Sequence, residues 1–157
     1  MLGRYSPEQS FRLSPPRKET LKIARLLARV ALGAALVYAG IGHLTFSRQE
    51  FQAQVPVWLP LGPDFVVLAS GAVEIVLGLG LLSTGRLSAY FGLATAAFFI
   101  AIFPGNINQY LEGIDAFGLS TDEARLTRLF FQPLLVVWAL WSTSAIALVR
   151  ELKSNRK

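Results

Sequence analysis

Cysteine is absent from the 157 residues, histidine occurs once, and the only methionine is residue 1. Without cysteine there are no disulfides, no thiol redox chemistry and no thiolate metal sites within this chain. A single histidine beside that one methionine also excludes a bis-His or His/Met haem and a closed zinc site. Charge is scarce as well. Asp, Glu, Lys and Arg make up 16% of the residues against 53% hydrophobic, with a mean hydropathy of +0.47. A soluble domain carries about 25% charged residues, so this composition is that of a membrane protein.

Long apolar runs are what the sequence does have. Four segments, approximately 23–42, 65–82, 87–103 and 129–149, can cross about 30 Å of hydrocarbon at roughly 1.5 Å per residue. The expected fold is all-α, an integral membrane four-helix bundle with long outer loops after spans one and three. About 29 residues precede the most apolar part of the first run, and no small-x-small cleavage site follows it, so it reads as an uncleaved span. The domain reading is a disordered basic tail over 1–20, a four-span membrane domain over 21–150 and a second basic tail over 151–157. Pro7, Pro15 and Pro16, with no apolar period around them, suggest the first of these.

The net charge of +5 is distributed unevenly. Apart from Arg48, Arg125 and Arg128, every basic residue lies before or near the start of span one, in the turn at Arg86, or from Arg150 onward. The two long loops instead carry Glu50, Asp64, Glu112, Asp115, Asp122 and Glu123. The positive-inside rule then puts both termini in the cytoplasm, as an even number of spans requires. The basic excess flanks helices and forms no groove with aromatics, so it fits membrane lipid headgroups and argues against nucleic acid as a partner.

Glu74 is the only ionisable residue between Asp64 and Arg86. An acid at the bilayer midplane costs about 2.5–3.5 kcal/mol on insertion scales and tends to face a partner or a cavity. Gly71, Glu74 and Gly78 fall at i, i+3 and i+7, which puts the acid on a face where glycines allow close helix approach. In span one, Gly33, Gly40 and His43 form a similar inward stripe. Between spans one and two, Pro56, Pro60 and Pro63 preclude a continuous helix; a short amphipathic turn around 46–51 and an extended segment with Trp58 at headgroup level are expected. Phe103-Pro104-Gly105 is expected to end span three, leaving Asn106 and Asn108 at its outer boundary. Ser120-Thr121-Asp122-Glu123 resembles a capping box opening a helix on which Arg125, Arg128 and Gln132 recur at i, i+3 and i+7, with a kink at Pro133.

By depth, His43, Glu74, Asn106, Asn108, Arg128 and Gln132 form one polar set drawn from all four spans. The halves nearer the basic flanks have no comparable group. The set is therefore expected to line a pocket opening to the outer side, with apolar packing beneath it. Each member also has a plainer reading. Glu74 could be a protonated carboxyl bonded to a neighbour, His43 an interface residue, and Asn106 and Asn108 turn formers. Arg128 could snorkel to the headgroups, and Gln132 could satisfy the backbone that Pro133 frees. Arg128 is the nearest cation to Glu74 by depth.

Tyr38-Ala-Gly-Ile-Gly-His43, Val55-Pro-Val-Trp-Leu-Pro60, Ser70-Gly-Ala-Val-Glu74, Phe103-Pro-Gly-Asn106 and Arg128-Leu-Phe-Phe-Gln-Pro133 occur in an order and spacing that resembles DoxX-like membrane proteins. The resemblance covers roughly residues 30–142. It implies a compact four-helix bundle of the bacterial cytoplasmic (inner) membrane, near quinone-linked or thiol-linked redox systems, often as a partner subunit; the absence of cysteine counts against thiol chemistry. Quinone is the cofactor class this suggests. Redox-complex subunits are the partners it implies; membrane lipids are expected beside them, a homo-oligomer stays open, and an accessory role is favoured over an autonomous enzyme. A structural or assembly subunit without a ligand is the alternative, and a small proton-coupled carrier a third.

Overall fold

The structure, a computed structural model, describes residues 16–155. The described residues are all-helical and contain no strand. Helix α1 runs Pro16–Leu44, α2 Arg48–Ala53, α3 Pro63–Leu81, α4 Gly85–Leu111, α5 Asp122–Ser142 and α6 Ala145–Ser154. Three of them, α1, α3 and α4, are long and apolar enough to cross a membrane. A fourth crossing is formed if α5 and α6, bent by 63° at their junction, count as one span. Three to four such helices fit a multi-pass membrane protein.

Several boundaries differ from the sequence reading. Helix α1 opens at Pro16, inside the stretch expected as a tail; the rest of that stretch, residues 1–15, lies outside the described residues. Proline suits a first helical position because it gives up a donor that has no partner there. Lys22 also pairs with Glu19 at 2.9 Å in the first turns. At the other end α6 extends through Ser154, so most of the second expected tail is helix.

Helix α4 does not stop at Pro104 but continues to Leu111. Its end is set by Gly113, at φ 62. Ile114 N–H donates to the Gln109 carbonyl at 3.0 Å and Gly113 N–H to the Tyr110 carbonyl at 3.4 Å, the paired bonds of a Schellman motif. One lost donor at Pro104 is tolerable where a neighbouring helix supplies polar contacts.

Helix α5 starts at the expected cap, with the Thr121 hydroxyl accepting from Ala124 N–H at 3.2 Å. It also continues through Pro133. A bend of 63° follows at Thr143-Ser144, where Ser144 is left-handed (φ 58, ψ 26) and α6 turns away.

The tightest packing is between α1 and α3, which run antiparallel. A Cβ placed on Gly33 would lie 2.8 Å from the Gly78 carbonyl, and one on Gly40 would lie 2.6 Å from the Gly71 carbonyl. Two glycine pairs thus let the backbones touch at two levels, with Glu74 between them. In lipid such close approach, and not hydrophobic transfer, drives helix association. Helices α4 and α5 form the second extensive contact. Leu32, Leu36, Leu77, Leu81, Ala96, Phe99 and Ala139 make the apolar core where the two pairs meet.

Candidate functional site

Helix register on α1 and α3 places His43 beside Glu74. Both are buried, at 6% and 5% exposed. His43 Nδ1 lies 3.0 Å from Ser70 Oγ, while Ser70 Oγ donates to the Val67 carbonyl at 3.0 Å. The serine's one proton is thereby committed, so its oxygen accepts and Nδ1 carries the imidazole hydrogen. In the neutral ring this leaves Nε2 with a free lone pair. Nε2 faces Glu74 Oε2 at 3.6 Å, just outside hydrogen-bond range. Both atoms are buried and without a hydrogen-bond partner.

Above this pair the polar groups are paired across helices. Gln132 on α5 donates to the Phe99 carbonyl of α4 at 2.6 Å and accepts from Asn106 Nδ2 at 2.9 Å. The expectation that Gln132 would serve the backbone freed by Pro133 is replaced by a bridge to α4, close to the carbonyl of Ile100 that Pro104 leaves without its helical donor. Asn106 is not at a helix end: it is buried within α4. Arg128 donates to the side-chain carbonyls of Gln109 and Gln54, each at 3.2 Å, and its guanidinium lies 5.2 Å from the centroid of the Phe117 ring. Among the described residues Arg128 makes no ion pair with Glu74, whose carboxyl faces the His43 ring.

These side chains surround a cavity of about 480 Å³. His43, Ser70 and Glu74 contribute on one side, Asn106, Arg128 and Gln132 on the other, and Leu32, Leu36, Phe99, Ile102 and Leu135 form apolar walls. Phe51 and Phe117, from α2 and the 112–121 loop, close one end with ring centroids 4.6 Å apart, and the Phe51 ring also lies tilted against His43. Of the six residues expected from the sequence, five line this space; Asn108 does not. The cavity is larger than one water and mixes apolar walls with few polar groups, as small-molecule sites do.

Ser70, Phe51, Gln54, Gln109 and Phe117 were not singled out by sequence. Ser70 stood in the quoted Ser70–Glu74 stretch, one turn before the acid, which is a usable signal. Gln54 and Gln109 bond to each other at 2.7 Å from segments 55 residues apart, and no local pattern marks that. Arg125 was also missed as a structural residue. Only 7% exposed, it donates to Asp122 (2.7 Å), Asp115 and the Ile114 carbonyl, tying the 112–121 loop to α5. At the other end of the bundle the buried polar groups of the spans include the hydroxyls of Ser88, Thr95, Ser142 and Thr143, of which Ser88, Ser142 and Thr143 donate to carbonyls three or four residues back in the chain.

A family model described as "Domain of unknown function (DUF8561)" matches residues 32–143. The chain belongs to that family, and the match contains every residue placed around the cavity. No curated protein and no solved structure matches the chain.

Proposed function

We propose that this family member is a multi-pass protein of the bacterial cytoplasmic membrane, related to DoxX-like proteins, that binds a quinone or a similar amphipathic molecule in the cavity between its four helices. The termini lie in the cytoplasm and the cavity faces the outer side. Its role is that of an accessory subunit to a redox system. The observation that carries the reading is the pair of buried, unpartnered polar atoms, His43 Nε2 and Glu74 Oε2, beside a 480 Å³ cavity with largely apolar walls. Buried polar atoms without partners are uncommon, and a ligand group that donates or accepts there would complete them. A quinone offers a flat apolar ring for the aromatic end and oxygens that accept from an amide or a protonated carboxyl, and the hydroxyl of its quinol form can donate to the bare imidazole nitrogen.

Native mass spectrometry of protein extracted gently from its own membrane tests this. A retained small molecule of quinone mass in the wild type, diminished about tenfold in Glu74→Gln, is the expected result. Equal occupancy in the variant removes Glu74 from the site. An empty wild-type protein favours a purely structural subunit.

A further inference from the structure

At the opposite end of α1 from His43 is a second cavity, of about 310 Å³. Its lining includes Lys22, Arg25 and Arg29 on α1 and Ser142, Thr143 and Ser144 at the α5–α6 bend. About 14 residues of helix, roughly 21 Å, separate Arg29 from His43, so this is a site apart from the first. The three cations fall at i, i+3 and i+7 and share one helix face. No Asp or Glu lines the cavity; Lys22 pairs with Glu19, which lies outside it.

The arginines are arranged to take an oxyanion. Arg25 spends one terminal nitrogen on Ser144 Oγ, at 3.1 Å, and its guanidinium lies 5.8 Å from the centroid of the Trp141 ring. Its Nε is buried and has no partner, and the same holds for Nε of Arg29. The Nε edge of a guanidinium presents two parallel N–H donors, the geometry that fits phosphate or carboxylate oxygens side-on. Two such edges one helical turn apart, with like charges and no acid between them, repel each other until an anion intervenes. The carboxyl end of α5 favours one nearby cation but does not account for three. The amino end of α6 starts at the same bend, and its N-cap residue Ser144 makes no side-chain cap. Helix α6 thus directs the positive end of its dipole toward the same place.

We infer that this cavity is a binding site for a phosphate group, held between the Nε edges of Arg25 and Arg29 at the α5–α6 bend. The phosphate comes either from the headgroup of an anionic phospholipid or from a soluble phosphate. Leu26 lines the cavity and is 48% exposed, with Ile23 and Leu27 exposed beside it, so the walls offer a path for an acyl chain. The inference is independent of the ligand assigned to the first cavity.

The test uses the full chain in an uncharged detergent, titrated with phosphatidylglycerol, phosphatidylcholine or inorganic phosphate and read by native mass spectrometry and thermal unfolding. Retention of one phosphatidylglycerol over phosphatidylcholine is expected, weakened about tenfold in R25Q/R29Q. The same affinity is expected in R150Q/K153Q, which removes as much charge from the same end but outside the cavity. Phosphate that stabilises the wild type, but not R25Q/R29Q, identifies a soluble source instead. Arg29→Gln alone, whose parent side chain has no hydrogen bond to lose in this structure, serves if the double variant does not fold; unchanged retention in it overturns the proposal. Equal weakening in both double variants, or no response of the wild type to either probe, also overturns it.

Discussion

Single atoms decide how the cavity behaves. The hydrogen bonds around Ser70 hold the imidazole with its bare nitrogen toward Glu74, so Ser70 is a positioning residue for that pair. Ser70→Ala removes the acceptor at Nδ1 and frees the ring to change tautomer. It is expected to shift the 15N signals of His43 and to weaken ligand retention without loss of folded protein; unchanged imidazole spectra would show that Ser70 does not set the tautomer. Gln132 has a different task, because its amide completes both the Phe99 carbonyl and Asn106. Gln132→Leu leaves the buried Asn106 amide without its partner and should cost about 1–3 kcal/mol for an orphaned buried group, visible as a lower thermal midpoint in detergent.

Among the elements, α1 and α3 act as one unit because glycines bring their backbones into contact. A side chain at Gly78 would collide with the Gly33 carbonyl at 2.6 Å and with Val37 at 2.8 Å. Gly78→Leu is expected to separate the pair, at a cost of about 1–3 kcal/mol or more for overpacking, and to yield aggregated or unfolded protein by size exclusion. A monodisperse, stable Gly78→Leu protein would show that the seam is not required. Much of this was legible in the sequence, since Gly71, Glu74 and Gly78 recur on one helical face and Gly33, Gly40 and His43 on another. Their mutual register was not, because spacing within one helix says nothing about its height against the next. Pro104 departs from the reading for a related reason. It is a local breaker by chemistry, yet α4 continues through it where the Gln132 side chain reaches the backbone. The bend at Ser144 has no glycine or proline to announce it.

For the whole molecule, the arrangement of charge carries the expectation that both termini share one side of the membrane. A reporter active only in the cytoplasm should work when fused after Ser154 or in the turn before Gly85, and should fail when inserted in the 112–121 loop. Activity at that loop would reverse the topology. The same loop is fastened by Arg125 to Asp115, Asp122 and the Ile114 carbonyl. Arg125→Gln should therefore raise amide exchange and proteolysis around 112–121 while leaving the spans protected, because few other bonds anchor that loop. The reach of sequence reasoning was shortest here: the contacts that roof the cavity join residues from the two long loops, which no periodicity relates.

The two helix pairs touch each other less extensively than the partners within each pair do, and the larger cavity lies along that division. A void placed there is a joint as well as a container. Whatever fills it also splints the two halves together, so stability will rise with the free concentration of the occupant. On the proposed reading, part of the protein's rigidity is supplied by its ligand, and the emptied protein is expected to show faster amide exchange between the two helix pairs.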